Sequence, residues 1–127
     1  MDAYHQGLAG EELAAYYLEH KGYRILERRF RVRQGEVDLI AMDESTDIPI
    51  LVFVEVKYRK DLSFARPSLS VDKRKMQKIV KASRIYMARY GLSEHPARFD
   101  VVELWYTGEH HKAHHYQNAF GEDLWTS

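Results

Sequence analysis

The sequence contains no cysteine, so neither a disulfide framework nor a thiolate zinc site can be built from it. No apolar stretch approaches the roughly 18 residues that a membrane span requires. The opening Met1-Asp2-Ala3-Tyr4-His5 lacks the basic and apolar regions of a secretory signal. The expected compartment is therefore the cytoplasm, with no membrane partner. An excess of one charge is missing too. Lys plus Arg and Asp plus Glu each total 19, giving a formal net charge of zero, which removes any global signal for a polyanion or an anionic lipid surface.

What is present suits an ordinary folded domain: 127 residues, 45% hydrophobic and 30% charged, enough to bury one core without covalent staples. A single domain over 1–127 is expected, with about 107–127 as a C-terminal extension. No internal repeat, low-complexity segment or linker divides it. The charges are unevenly spread. Arg24, Arg28, Arg29, Arg31 and Arg33 fall within ten residues, and Lys73, Arg74, Lys75, Lys78, Lys81, Arg84 and Arg89 within seventeen, so local basic surface survives the neutral total.

Periodicity divides the chain into elements. Residues 5 to about 21 predict an amphipathic helix, with Leu13, Ala14, Tyr17 and Leu18 on one face and Gly22 at the stop. Gly7, Gly10 and Ala14 make a small-residue strip near Leu18 that would let this helix approach a sheet closely, with Glu11 on its flank and Glu12 on the far side. Tyr23 to about Val32 reads as a strand, Glu36 to Met42 as a second, and the valine-rich Ile50 to Tyr58 as a third. Gln34-Gly35 and a loop from Asp43 to Pro49 separate them.

Arg59 to Ser70, interrupted by Pro67, predicts a surface loop, and Val71-Asp72 a helix entry with Asp72 as N-cap. That helix runs to Tyr90 and stops at Gly91, with Met76, Ile79, Val80, Ser83, Met87 and Tyr90 toward the core. Arg74, Lys78, Lys81 and Arg89 fall on the opposite face, where solvation is the ordinary role, while Lys73 and Arg84 lie on the flank, within reach of a phosphate backbone. Arg98 to Tyr106 is a fourth strand, and a short strand is expected around His114 to Gln117. The run His110-His111-x-x-His114-His115 has neither a predicted helix nor a helper carboxylate at fixed spacing beyond Glu109, so it carries no metal assignment.

The second and third strands hold the chemistry. Alternation puts Glu36, Asp38, Ile40 and Met42 on one face of the second, and Leu51, Phe53, Glu55 and Lys57 on one face of the third. Antiparallel pairing with Met42 opposite Leu51 and Ile40 opposite Phe53 also sets Asp38 opposite Glu55 and Glu36 opposite Lys57. Like charges at a cross-strand spacing of about 5 Å repel. Asp38 and Glu55 therefore need a neutralising partner, which a proton, Lys57 or a hard divalent cation such as Mg²⁺ could supply. Beside a bound cation, Lys57 could serve an attacking water, a combination suited to phosphodiester hydrolysis. Arg59, just beyond, is the preferred phosphate contact.

Asp38 followed by Glu55-Val56-Lys57 on the next strand resembles the PD-(D/E)XK restriction-endonuclease-like nuclease superfamily. The wider pattern is similar to the bacterial YraN-like family, itself uncharacterised. It includes Gly7-x-x-Gly10-Glu11-x-x-Ala14, Gly35-Glu36-Val37-Asp38-Leu39-Ile40, Phe53-Val54-Glu55-Val56-Lys57-x-Arg59, Val71-Asp72-x-x-Lys75, Arg98-Phe99-Asp100-Val101 and Asn118-Ala119-Phe120, which covers nearly the whole chain. The resemblance implies an α/β, restriction-endonuclease-like fold in helix-strand-strand-strand-helix-strand order, with a central mixed sheet flanked by helices. It implies Mg²⁺ or Mn²⁺ held by Asp38 and Glu55, a catalytic Lys57, and assistance from Glu11 or Glu36. The implied reaction is hydrolysis of phosphodiester bonds in nucleic acid, DNA before RNA, in repair or recombination. Cutting both strands would call for a homodimer. The chain departs from the pattern at Val37, where the superfamily has a nominal proline, at Tyr58, where a small hydroxyl residue is usual, and at Arg29, where asparagine is frequent.

Two rivals stand beside the nuclease. One is a nucleic-acid binding module that keeps the fold without turnover. The other is a structural or protein-interaction domain in which Asp38, Glu55 and Lys57 form a buried salt-bridge cluster that holds the strands in register.

Overall fold

The structure, a computed structural model, describes residues 3–59, 73–107 and 110–121. The described elements run α1 (Ala3–His20), β1 (Tyr23–Val32), β2 (Gly35–Asp43), β3 (Ile50–Arg59), α2 (Lys73–Arg89), β4 (Ala97–Thr107) and β5 (His110–Phe120). They form a mixed α/β fold: five strands in the order β1-β2-β3-β4-β5, antiparallel except for the β3–β4 pair. A parallel pair needs a long crossover, and the segment containing α2 supplies it.

The two helices cover opposite faces. Ile79, Val80, Ala82, Tyr86 and Met87 of α2 pack on Ile40, Leu51, Phe53, Phe99 and Val101. Ala14, Ala15 and Leu18 of α1 pack on Leu39, Ala41, Val52, Val54, Val102 and Leu104. Alternate residues of β3 thus go to alternate cores, and Leu51 to Val54 are all fully buried. The strip predicted on α1 works as a close-packing surface at Gly10, where a Cβ would meet the Tyr58 ring at 3.2 Å.

Two expectations change. In α2 the buried aromatic is Tyr86, whereas Tyr90 is 54% exposed. The helix closes just there: Leu92 N–H donates to Met87 O at 2.7 Å and Gly91 N–H to Ala88 O at 3.4 Å, around a left-handed Gly91 at φ 68°. This paired pattern is a Schellman cap, with Tyr90 as the last half-helical residue. The short strand expected around His114 is an eleven-residue strand, β5, paired along β4 from Thr107 to Phe99. The loop around Pro67 and the Asp72 cap lie outside the described residues.

Far from the expected chemistry, a buried polar network ties β1, β2, β4 and β5. Asp100, with no exposure, accepts from Arg98 Nε at 3.0 Å, His115 Nε2 at 2.7 Å and Asn118 N–H at 2.9 Å. Arg98 also donates to Asp43 at 3.0 Å and to the Tyr23 hydroxyl. Lys21 Nζ donates to the remaining ring nitrogen of His115 at 2.8 Å.

Candidate active site

The β2–β3 ladder follows the expected register from Asp43 opposite Ile50, through Met42–Leu51 and Ile40–Phe53, to Leu39–Val54. There it stops. Asp38 Oδ2 accepts the Val56 N–H at 2.8 Å, so a side-chain carboxylate stands in for the next backbone partner and β2 parts from β3.

A second irregularity coincides with the first. Arg29 and Asp38 fall between the Arg28–Leu39 and Phe30–Val37 pairs, and Arg29 adopts a left-handed φ of 54°. Across this position the strand pair turns over: Leu39 belongs to the core under α1, while Phe30 and Val37 both belong to the core under α2. Strict alternation predicts Val37 on the same face as Leu39. The turnover carries Asp38 into the gap between β2 and β3, reached from both faces of the sheet.

Four side chains converge on that gap. Glu55, only 5% exposed, hydrogen-bonds to Asp38. Burial first, and then the adjacent Asp38, push its carboxyl up to about 8. Lys75 Nζ lies 3.2 Å from Glu55 Oε1. Burial works to lower the Lys75 ammonium, but the charge of Glu55 and its hydrogen bond outweigh that and raise it. From the α1 side, Glu11 is held at 3.2 Å by Arg29 Nε and is raised above the ordinary carboxylate range by burial and then by Asp38. Lys57, two residues beyond Glu55, is half-buried, and burial followed by Lys75 and Arg59 holds its ammonium below its usual value.

Asp38, Glu55, Lys57 and Glu11 are thus brought together; Glu36 is not. The ladder ends before Glu36 can meet Lys57, and Glu36 instead pairs across β1 with Arg31 at 2.9 Å, largely exposed. Arg59 turns inward: its Nε lies 3.3 Å from Oε1 of the fully buried Glu103, which engages the expected phosphate contact within the fold. Lys73 is exposed at the start of α2. Arg84 lies at the other end of the helix, lining a cavity with Met87 and His95, apart from the carboxylates.

Two residues of the cluster went unassigned in the sequence. Lys75 sits one turn before Ile79 on the sheet-facing stripe of α2, so a charge in an apolar register was its signal. Arg29 is marked only by its left-handed backbone, which an arginine does not advertise.

As a donor set, Asp38 and Glu55 offer two hard carboxylates at a site where their mutual repulsion favours a shared proton or cation. That fits Mg²⁺ or Mn²⁺, which commonly take one or two carboxylates and complete their shell with water. Among the described residues no group of three or more Asp, Glu, His or Cys is gathered for a metal.

A mixed sheet that opens between two strands to gather the carboxylates of Asp38, Glu55 and Glu11 with Lys57 and Lys75 defines the class of this protein: an α/β fold with a polar site at a sheet split. Residues 10–104 match the family described as uncharacterised protein family UPF0102, and the chain belongs to it. A UPF0102 protein of Caldanaerobacter subterraneus subsp. tengcongensis is 43% identical over 117 residues, covering 90% of this chain and 93% of that one. One from Alkaliphilus oremlandii is 41% identical over 116 residues, covering 90% and 96%. Among solved structures, Pyrococcus furiosus SfsA in complex with Ca²⁺ aligns with a TM-score of 0.37 at 17% identity, over 91% of this chain and 64% of that one. No helix among the described residues is long and apolar enough to cross a membrane.

Proposed function

We propose that the protein is a divalent-cation-dependent, nuclease-like hydrolase of phosphodiester bonds in nucleic acid, with DNA the preferred substrate. The observation that carries this reading is the Asp38–Glu55 pair at the strand split, with the buried Glu55 raised to about 8. Asp38 and Glu55 would hold Mg²⁺ or Mn²⁺, which supplies charge neutralisation and a more acidic water. Lys57, on the Glu55 face and held below its usual value, is suited to exchange a proton with an attacking water at Nζ. Lys75 orients the Glu55 carboxylate, and Glu11 approaches from the α1 side.

A second reading keeps nucleic-acid binding without turnover. It is favoured by the Lys75–Glu55 ion pair, which gives the site a resident cation.

The test incubates the protein with single-stranded, duplex, flapped and four-way-junction DNA and with RNA, in Mn²⁺ or EDTA. Mn²⁺-dependent cleavage that disappears in Asp38→Ala and Lys57→Ala is the expected result. Cleavage that persists in either variant sinks the assignment, and binding without cleavage by the wild type supports the second reading.

A further inference from the structure

Arg74 and Lys78, which helical phase alone assigns to the solvated back of α2, line a groove instead. It has a volume of about 510 Å³ and runs between the first turns of α2 and the β1–β2 turn, with Arg31, Gly35, Glu36 and Lys75 also in its walls. The close approach of the two walls is made at Gly35: a Cβ there would lie 2.3 Å from the backbone oxygen of Lys78. Among the described residues, four cations and one carboxylate, Glu36, line it.

Those cations are not equivalent. Arg31 is matched by Glu36 at 2.9 Å, and Lys75 by Glu55 at 3.2 Å. Arg74 and Lys78 are exposed and have no ion-pair partner among the described residues. They lie one helical turn apart on one side of α2, a row suited to consecutive anionic groups along an extended polymer. Among the described residues no aromatic side chain lines the groove, so those residues give it no stacking platform of the kind with which single-strand binding surfaces hold bases. Its chemistry is that of backbone contact without base readout. Lys75 belongs both to the groove and to the carboxylate cluster, so a chain lying in the groove leads directly to Asp38 and Glu55.

We infer that this groove seats the sugar–phosphate backbone flanking the phosphodiester presented to Asp38 and Glu55, with Arg74 and Lys78 as its phosphate contacts, and that it does so without regard to base sequence. The inference rests on the proposed nucleic-acid function and names where that polymer lies.

The experiment measures anisotropy of a short fluorescein-labelled oligonucleotide, as a single strand and as a duplex, each in two unrelated sequences. Salt is titrated in EDTA so that nothing is cleaved. The proteins are the wild type, the Arg74→Ala/Lys78→Ala double variant, and Lys112→Ala, which removes an exposed cation on β5, at the far edge of the sheet. Wild-type melting of the double variant checks its fold. The double variant is expected to lower the slope of log K against log salt by about 2, about 1 for each lost phosphate contact, and by the same amount for both sequences. Lys112→Ala should leave the slope unchanged. The probe form with the larger loss identifies whether the groove takes a single strand or a duplex. An unchanged slope in the double variant, or an equal loss in Lys112→Ala, overturns the groove and leaves the hydrolase reading standing. If the wild type binds neither probe, both fall together.

Discussion

Arg29 and Asp38 lie between the Arg28–Leu39 and Phe30–Val37 pairs of the β1–β2 ladder, at the position where both strands turn over. The left-handed backbone of Arg29 makes the turnover, and its guanidinium reaches Glu11 at 3.2 Å. Asparagine tolerates that backbone and a β-branched residue does not, a difference of about 1–2 kcal/mol. Arg29→Asn and Arg29→Val both forfeit the Glu11 contact, so comparing them isolates the backbone. Urea unfolding is expected to find Arg29→Val less stable than Arg29→Asn by about 1–2 kcal/mol. Equal stabilities would mean that this backbone conformation places no demand on the side chain.

The burial of Glu55, and then its contact with Asp38, makes stability fall with pH when no divalent cation is present. Glu55 has an ordinary value of 4.5 and is raised to about 8 in the folded protein. The folded state therefore binds the proton more tightly, and the stabilisation is complete below 4.5 and lost as pH rises through about 8. Thermal melts in EDTA should show Tm dropping by several degrees across that window. Glu55→Gln should remove this drop, and Asp38→Asn, which removes the neighbouring charge, should move it to lower pH. A Glu55→Gln variant with the wild-type pH profile would place the titration elsewhere.

Gly35 is the contact on which the groove is built. An alanine Cβ there would meet Lys78 O at 2.3 Å and its carbonyl carbon at 2.9 Å, both backbone atoms with little freedom to yield. Gly35→Ala should cost about 1–3 kcal/mol, the usual range for overpacking. Calorimetry would show the lowered Tm, and an unchanged Tm would mean that α2 can slide away from β2 freely.

Much of this arrangement is legible in the sequence, and the reasons are local. Met42 opposite Leu51 and Ile40 opposite Phe53 satisfy two apolar pairs at once, which fixes the register and brings Asp38 to Glu55. Glu11 could be chosen over Glu12 because the small-residue face of α1 has one orientation toward the sheet. The ladder's end at Leu39 was hidden, because nothing in the letters Arg29 or Asp38 announces a strand pair turning over. That single event moved Val37 to the other core and left Glu36 with Arg31 instead of Lys57. Strand β5 was hidden for another reason. Its run of histidines, Lys112 and Gln117 carries little apolar alternation, and its pairing with β4 is specified chiefly by the backbone ladder.

The polar network around Asp100 should govern acid stability. Burial would raise the Asp100 carboxyl, but hydrogen bonds from His115, Arg98 and the Asn118 amide outweigh it and hold the group below its ordinary value of 3.8. A depressed carboxylate contributes stability above its unfolded value, and that contribution is lost as pH falls through the lower folded one. At neutral pH, Asp100→Ala leaves Arg98 without three of its hydrogen bonds and removes the acceptor of His115 Nε2. Breaking a buried pair in this way costs about 3–5 kcal/mol. Urea unfolding at neutral pH is expected to show that loss, and unfolding in acid should show a shallower dependence on pH than the wild type. Asp100→Ala with wild-type stability would mean that the ties among β1, β4 and β5 are redundant with the apolar cores beneath them.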